Sequence, residues 1–293
     1  MAFLQIFLNS LAMIGVLALS TLGITLNYKT ANVANFAQGI TATVGAFTAA
    51  YLFMRNGVNP WLSMVGGIAV CFAIGWLIDT LIMGRLKTVG SVGRVMVTLG
   101  LILIISAGIP IMFGMIPYNF PRFFAGNIDF YLFGTAMTVT RNGLFVFGLS
   151  AVVIAIIFLA LYKTKWGLNV RATASNAPVA SMLGVNTKRL TALSWGISSG
   201  CAALAAVLLA SQTTNVNANM MVTVQTNQLL AFVMGGYTSF YGPVIGAVLL
   251  PTVLAMLALI DAMWANVMLY TLILLVILIK PMGLFGKRTM TKV

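Results

Sequence analysis

Residues 163–189 read KTKWGLNVRATASNAPVASMLGVNTKR, a polar and basic insert between long apolar runs. The insert carries five basic residues and no acidic one: Lys163, Lys165, Arg171, Lys188 and Arg189. A hydrophilic insert of this kind must lie in water at one membrane face, and basic loops stay in the cytoplasm. Its middle has helix-forming content and ends at Gly184, a residue common just after a helix C-terminus. The insert therefore predicts a cytoplasmic docking helix in a membrane protein.

The composition excludes a water-facing globular protein. Hydrophobic residues make up 61% of the 293 residues and charged residues 6%, whereas soluble domains have roughly 25% charged residues. The net charge of +13 does not indicate nucleic acid, because the Lys and Arg residues are spread over short loops beside membrane lipid. Cys71 and Cys201 lie in apolar runs and there is no histidine, so we expect no metal site and no cofactor.

A helix that crosses a bilayer needs about 20 mostly apolar residues, and its backbone must hydrogen-bond within the segment. The sequence predicts an all-α polytopic membrane protein with one transmembrane domain over 1–293. The nine candidate spans are 4–27, 31–54, 62–83, 95–114, 143–162, 190–211, 226–240, 243–260 and 262–280. Eight spans are the alternative. The first apolar run has no basic residues before it, which favours a membrane helix over a cleaved signal peptide.

The basic residues also predict the orientation. With the insert in the cytoplasm, thirteen of the sixteen Lys and Arg residues fall inside; Lys87, Lys287, Arg288 and Lys292 are among them. Arg55, Arg122 and Arg141 fall outside. The N-terminus is then outside and the C-terminus cytoplasmic. The segment 115–142 is aromatic, contains two prolines and is too polar to span, so we expect it at the outer interface as short helices or a lid.

Polar or small residues interrupt the second span: Asn32, Asn35, Gln38, Gly39 and Thr43. Unpaired amides in hydrocarbon are costly, so these groups should face protein or a water-filled route. They either join helices or line a route for a polar solute. Gly235, Gly236 and Ser239 also allow two interpretations. The glycines predict a broken helix near 226–242, and interrupted spans often lie at a substrate site. The alternative is a tight helix–helix crossing or a sharp turn between spans.

Several kinds of chemistry are missing from the sequence. The three acids are Asp79, Asp129 and Asp261, and none lies near a predicted midplane, which counts against proton coupling. There is no GxxxxGK[ST] motif for a nucleotide, and general acid–base catalysis has almost no material. Energy for transport would come from sodium, a gradient or another subunit, and an enzyme is not expected.

Four strings resemble the LivH/LivM-type permeases of ABC importers for branched-chain amino acids. NVANFAQG at 32–39 is similar to the family's INFAHGE helix, and GLNVRATASNAPVASMLGVNTKRL at 167–190 to its coupling segment. AFVMGGYTSFYGPVIGA at 231–247 and KPMGLFGK at 280–287 match two further motifs. Their order and spacing agree over essentially the whole chain.

The resemblance implies a permease domain in the inner membrane of a bacterium. Transport would proceed by alternating access, driven by ATP binding and hydrolysis in partner subunits. Its partners would be a second permease subunit (identical or homologous), two cytoplasmic ATPase subunits that hydrolyse ATP, and an external solute-binding protein. It also implies a coupling helix over 174–183 that docks in an ATPase groove. The residues matched to ATPase coupling are Arg171, Ala172, Ser175, Asn176, Ala180, Gly184 and Asn186.

This chain departs from the family pattern where acids are common. Ile40 follows the second-span motif, and Ser175 and Asn176 stand in the coupling segment. Related permeases carry urea and short amides, so the resemblance also allows a solute of this kind in place of a branched-chain amino acid. A self-contained secondary transporter or facilitator for small amides or amino acids is the alternative function, and a structural subunit of a membrane enzyme is a third.

Overall fold

The computed structural model describes residues 2–86, 89–132 and 135–286. Within these ranges the chain forms eleven α-helices and one antiparallel hairpin. The helices are α1 (Ala2–Ala31), α2 (Gln38–Asn56), α3 (Pro60–Leu77), α4 (Ser91–Phe113), α5 (Arg141–Lys163), α6 (Lys165–Ser175), α7 (Ala177–Met182), α8 (Thr187–Thr213), α9 (Val222–Gly235), α10 (Gly242–Ile260) and α11 (Ala265–Ile279). A π turn (Ile78–Ile82) and a 3-10 turn (Met83–Arg85) extend α3.

The described helices identify a mostly helical, multi-pass membrane protein. Six are long and apolar enough to cross a membrane: α1, α3 with its extension, α4, α5, α8 and α10. The other three segments predicted as spans form α2, α9 and α11. Of these, α11 is apolar but only 15 residues long, α9 has 14 residues, and α2 has 19 residues with a more polar sequence.

Helix α8 forms the centre of the molecule. In its most apolar stretch 83% of the residues are buried, against 61% for α1 and 17% for α4 and α5. The buried face of α8 is rich in small residues, among them Ala202, Ala203, Ala205 and Ala206, and small residues let helix backbones approach closely. Helices α1, α2 and α3 pack around α8. The exposed apolar faces of α4 and α5 are therefore available to lipid or to another subunit.

Contacts between helix ends show that α1 and α5 run in the opposite direction to α4 and α8. At one side of the molecule, the Gln5 side chain near the start of α1 donates to the Thr138 carbonyl (2.7 Å). On that same side, the Asn142 amide at the start of α5 donates to the Ser211 carbonyl near the end of α8 (3.0 Å). One cavity lies at the opposite side of the molecule. It is surrounded by the end of α1, the starts of α4 and α8, and helices α6 and α7.

The predicted short helices in 115–142 are wrong, and the all-α description fails there. Strand β1 (Asn127–Leu132) pairs antiparallel with β2 (Thr135–Thr140). The pattern of β2 explains the strand, because Met137 and Val139 are buried while Thr138 and Thr140 are exposed, and such alternation has the period of a strand. Across the pair, the Thr138 hydroxyl donates to the Asp129 carboxylate (2.7 Å).

Two other predicted helices have different bounds. The second span begins at Gln38, and residues 32–37 before it are not helical. Asn32 has φ 52°, a left-handed conformation that ends α1 and that Asn tolerates. Asn32 and Asn35 therefore do not share a helix face with Thr43. The predicted helix over 174–183 is broken at Asn176, where α6 ends and α7 begins.

Candidate functional site

The insert at 163–189 contains three helix starts, each capped by a side chain. Thr164 Oγ1 accepts a hydrogen bond from the Gly167 amide (3.1 Å), Asn176 Oδ1 from Val179 (3.1 Å) and Asn186 Oδ1 from Arg189 (3.1 Å). Such caps satisfy amides that have no partner inside the helix. Pro178 lies in the first turn of α7, where its missing N–H costs nothing, whereas inside one long helix it would break the hydrogen-bond ladder.

Gly184 ends α7 as the sequence predicts. Its φ is +87°, its amide donates to the Ser181 carbonyl (3.1 Å), and the Val185 amide donates to the Ala180 carbonyl (3.0 Å). These two bonds define a Schellman motif, which requires a left-handed residue at this position. The chain turns sharply there and enters α8.

Helix α7 presents an exposed apolar surface. Ala180 faces inward and is buried, but Val179, Met182 and Leu183 are 48%, 85% and 79% exposed. We call these three the α7 apolar patch. Large apolar side chains grouped on an exposed surface indicate an interaction site. The patch is set on a helix whose two ends are fixed by the Asn176 cap and the Gly184 turn.

The remaining matched coupling residues connect α6 to the rest of the insert. The guanidinium of Arg171 lies over the Tyr162 ring, 5.2 Å from its centre, a favourable cation–π arrangement. The Ala172 carbonyl accepts from the Asn176 amide (3.0 Å), and Ser175 is exposed. Arg171 and Ser175 both border the cavity between α6, α7 and the helix ends.

That cavity has a volume of about 1110 Å³. Its walls bear the charged residues Lys29, Asp79, Arg94 and Arg171 and the hydroxyl groups of Thr173, Ser175, Ser181, Thr187 and Thr191. Asp79 accepts a hydrogen bond from Thr191 Oγ1 (3.1 Å), and Arg94 donates to the Ala31 carbonyl (2.9 Å). Lys29 donates to the Thr238 carbonyl. We call this cavity the inner vestibule, and its mixed charges suit a small polar solute.

Asp79 is a vestibule residue that sequence reasoning missed. Its position near the end of an apolar run marked it only as the end of a span. The signal in the sequence was an acid within an apolar run, because such acids almost always face a protein interior or a water-filled space. In the structure Asp79 is only 4% exposed.

The residues predicted to line a path in the second span divide into three environments. Asn32 borders the inner vestibule. The Asn35 side chain accepts from the Ala37 amide (3.0 Å) in a buried turn. Gln38 donates to the Ser20 carbonyl of α1 (2.8 Å) and accepts from Ser198 of α8 (3.1 Å). The Gly39 amide donates to Gln225 of α9 (2.5 Å). Thr43 bonds within its own helix.

The predicted broken helix near 226–242 is instead a sharp turn between two continuous helices, α9 and α10. Gly236 has φ +98°, and a Cβ on Gly235 would collide with the Gly242 carbonyl. The Ser239 hydroxyl accepts from the Gly242 amide (3.0 Å). The segment 281–286 covers the turn, because the Leu284 and Phe285 amides donate to the carbonyls of Met234 (2.8 Å) and Gly235 (3.2 Å). These contacts favour the tight-packing interpretation of the glycines.

Comparison with known proteins agrees with this architecture. Residues 6–278 match the family model described as branched-chain amino acid transport system / permease component. A LivH permease of Salmonella typhimurium, named as part of a high-affinity branched-chain amino acid transport system, is 25% identical over 99% of this chain and 98% of its own length. The Escherichia coli K12 protein of the same name is 26% identical over the same shares.

Two further relatives come from another group of organisms or are named for another solute. A probable branched-chain amino acid transport permease protein LivH of Methanocaldococcus jannaschii is 34% identical over 66% of this chain, and the chain spans 62% of that relative's length. A fructose import permease protein, FruF of Bifidobacterium longum, is 25% identical over 78% of the chain. No solved structure matches. With its family model covering nearly the whole sequence, the chain belongs to the family of branched-chain amino acid transport permease components.

Proposed function

We propose that this chain is the membrane-spanning permease subunit of an ATP-driven importer for a small polar solute, most directly a branched-chain amino acid. The observation that carries the proposal is the α7 apolar patch. The Asn176 cap and the Gly184 turn fix the two ends of α7, which lies beside the inner vestibule. A motor subunit that binds this patch could move the vestibule walls. The names of the LivH relatives supply the solute class.

In this proposal the chain crosses the membrane nine times, through α1, α2, α3, α4, α5, α8, α9 together with the segment before it, α10 and α11. The start of α1 lies on the side of the hairpin, whereas residues 281–286 contact the α9–α10 turn beside the inner vestibule, and this supports an odd number of crossings. The N-terminus then lies outside and the C-terminus in the cytoplasm. The hairpin within 115–142 lies at the outer face, where it would meet an external solute-binding protein.

The partners follow from the surfaces. We propose two cytoplasmic ATPase subunits, because the α7 apolar patch needs a protein to cover it and the sequence has no nucleotide motif of its own. The matched coupling residues would form or position the dock. A second permease subunit, identical or homologous, would cover part of the exposed apolar surface of α3, α4 or α10.

The solute path would end in the inner vestibule. Asn32 borders it, Gln38 and Gly39 bond α2 to neighbouring helices, and Thr43 bonds within α2. Gly235, Gly236 and Ser239 shape the turn next to Thr238 and Tyr237, which also line it. An amino acid carries an ammonium and a carboxylate, and the walls of the vestibule include both an acid, Asp79, and the basic residues Arg94 and Arg171.

A second solute class has one specific observation in its favour. The similarity to a fructose import permease covers 78% of this chain, so the same fold serves a sugar in another protein. Vestibule hydroxyls could hydrogen-bond a sugar as well as an amino acid. Titration of the transporter with both classes of solute decides between them.

The test is reconstitution of the chain with its ATPases, second permease and binding protein in liposomes. We expect solute-stimulated ATP hydrolysis and uptake, with leucine, isoleucine or valine more effective than urea, acetamide or fructose. Uptake by the chain without any ATPase, or its purification in mild detergent without one although the genes are co-expressed, would refute the proposal. Stimulation by fructose alone would support the second solute class.

A further inference from the structure

The segment between α8 and α9, residues 214–221, enters the protein without forming a helix. Val216 forms an isolated β-bridge with Tyr118, whose ring lies 5.9 Å from that of Phe47 in the middle of α2. The segment thus descends from the end of α8 to the level of the middle of α2. Helix α9 starts only at that depth.

Contacts of α9 confirm how deep its first turns lie. Gln225 accepts from the Gly39 amide, at the start of α2 (2.5 Å), and Gln228 accepts from the Ser20 hydroxyl. Ser20 lies about 27 Å along α1 from its first residue, given the rise per residue of an α-helix. Helix α9 therefore occupies only the inner part of the membrane, and irregular backbone takes the place of the outer part.

The exposed side chains of this region are polar. They are Thr213, Thr214, Asn215, Asn217, Asn219, Thr223 and Thr226, which we call the polar strip. Val222 is the exposed apolar residue among them. The exposed faces of α10 and α11 differ, because they consist mainly of Leu, Ile, Val and Met side chains. An amide or hydroxyl strip at this depth does not suit contact with lipid chains.

The polar strip also borders a space inside the chain. Asn217 and Ala218 form one edge of a cavity of about 180 Å³, whose other walls include Phe47, Ile109 and Pro110. The strip is therefore polar on its exposed side and meets an apolar pocket at one point. A solute with charged ends and a short apolar side chain could contact both.

We propose that the polar strip lines the outer half of the solute path, as the wall of a water-filled funnel that ends at the first turns of α9. This inference rests on the proposed function. Its physical basis is that non-helical backbone at membrane depth is stable only when protein buries it or water fills the space beside it. The strip is polar and exposed in this chain, and the surface assigned above to the second permease subunit lies on the apolar faces of α3, α4 or α10, so the second condition applies. The funnel and the inner vestibule are then the two ends of one route, separated by the contacts of Gln38, Gln225 and Gln228.

Cysteine labelling of the complete transporter in right-side-out vesicles tests the funnel. The native cysteines give little background, since Cys71 and Cys201 are 0% and 7% exposed. Thr226→Cys places a thiol on the strip, and Thr223→Cys is the second strip variant. Thr271→Cys on α11 is the matched control, because Thr271 and Thr226 are both exposed and both bond to the carbonyl four residues earlier.

A membrane-impermeant, charged methanethiosulfonate is the probe, added from outside. Only a thiolate reacts, and a thiol surrounded by lipid does not ionise. We expect labelling of the strip variants at least about tenfold faster than of Thr271→Cys, and slower labelling when leucine-loaded binding protein is present. Equal rates at Thr226→Cys, Thr223→Cys and Thr271→Cys, or rates that solute does not change, would overturn the funnel.

Uptake measured in the same vesicles separates this inference from the proposed function. ATP-driven uptake without labelling of the strip overturns the funnel and leaves the importer intact. Absence of ATP-driven uptake in unmodified vesicles overturns the proposed function, and the assignment of the strip to its solute path falls with it.

Discussion

Gln38 connects three helices through the two ends of one amide. Its nitrogen donates to the Ser20 carbonyl of α1 and its oxygen accepts from Ser198 of α8, while Gln38 itself is fully buried at the start of α2. Interhelical hydrogen bonds of this type hold membrane helices together. Gln38 therefore has a structural role that its sequence position does not reveal.

Replacing Gln38 by Leu should destabilise the protein by about 1–2 kcal/mol, because two interhelical hydrogen bonds are lost. We expect a lower Tm of the purified complex in detergent. Thr48→Val is the control, since Thr48 Oγ1 bonds only to the Val44 carbonyl of its own helix. An unchanged Tm together with reduced solute uptake would instead place Gln38 in the solute path.

Gly184 has a conformational role that can be tested separately from packing. Nothing lies within 4 Å of a Cβ built on it, so a larger side chain has room, but its φ of +87° costs a non-glycine residue about 1–2 kcal/mol. Gly184→Val should lower solute-stimulated ATP hydrolysis while membrane insertion remains normal. Gly184→Asn should retain more coupling, because Asn tolerates this conformation. Equal coupling in both variants would contradict the role of the turn.

At the residue level, the sequence indicated which groups needed partners but not which partners they have. An amide in an apolar run must meet a partner or water, and this holds equally for Gln38, which is buried and bonded to α1 and α8, and for Asn32, which is exposed at the inner vestibule. The difference depends on how distant helices pack. That information is not present in local spacing.

At the scale of elements, the break between α6 and α7 fixes where the α7 apolar patch points. One helix over 174–183 would have rotated Met182 and Leu183 relative to Val170 and Thr173, which are buried. The cap at Asn176 and the proline at 178 start a new helix with its own direction. Asn176 and Pro178 are both local signals, and an Asn followed closely by a Pro in the sequence is typical of a helix start.

Met182→Glu should remove ATPase binding, because it places a charge in the centre of the α7 apolar patch, and an unpaired charge in an apolar contact is costly. We expect the amount of co-purified ATPase to fall by about tenfold or more. Leu168→Glu on α6 is the matched control, as Leu168 is 58% exposed but lies outside the patch. If both variants retain their ATPase equally, the patch is not the dock.

Most membrane helices could be predicted from apolar length, and the hairpin could not. Each of the nine predicted spans contains one helix or most of one, because hydrocarbon requires helical backbone. In 127–140 the alternation of Met137 and Val139 with threonines lasts only a few residues, too short to outweigh the aromatic composition. The depth at which α9 starts was also hidden, since it depends on contacts with α1 and α2.

At the scale of the whole molecule, the helix ends form two opposed sets with different chemistry. The charged vestibule and the basic insert lie at one side, and the hairpin with the α5 and α8 contacts lies at the other. Lys87 and the basic residues 287, 288 and 292 that support the orientation lie outside the described residues. The charge asymmetry predicted the orientation, and the structure adds the arrangement of helix ends.

Labelling from each side of the membrane should verify this orientation. Thr138 in the hairpin and Ser181 in α7 are both exposed, and the native cysteines are buried. The two variants to be labelled are Thr138→Cys and Ser181→Cys. We expect an impermeant thiol reagent to modify Thr138→Cys in intact cells and Ser181→Cys only after permeabilisation. Modification of both variants from the same side would exclude the proposed arrangement of spans.

The cover that residues 281–286 place on the α9–α10 turn has a consequence for biosynthesis. The carbonyls of Met234 and Gly235 receive their partners from a stretch that leaves the ribosome after α11. Until α11 has been inserted, this corner of the protein stays open to water, however early α9 and α10 enter the bilayer. A nascent chain arrested before residue 281 would thus expose unfinished backbone to quality-control proteases, and only later synthesis would hide it.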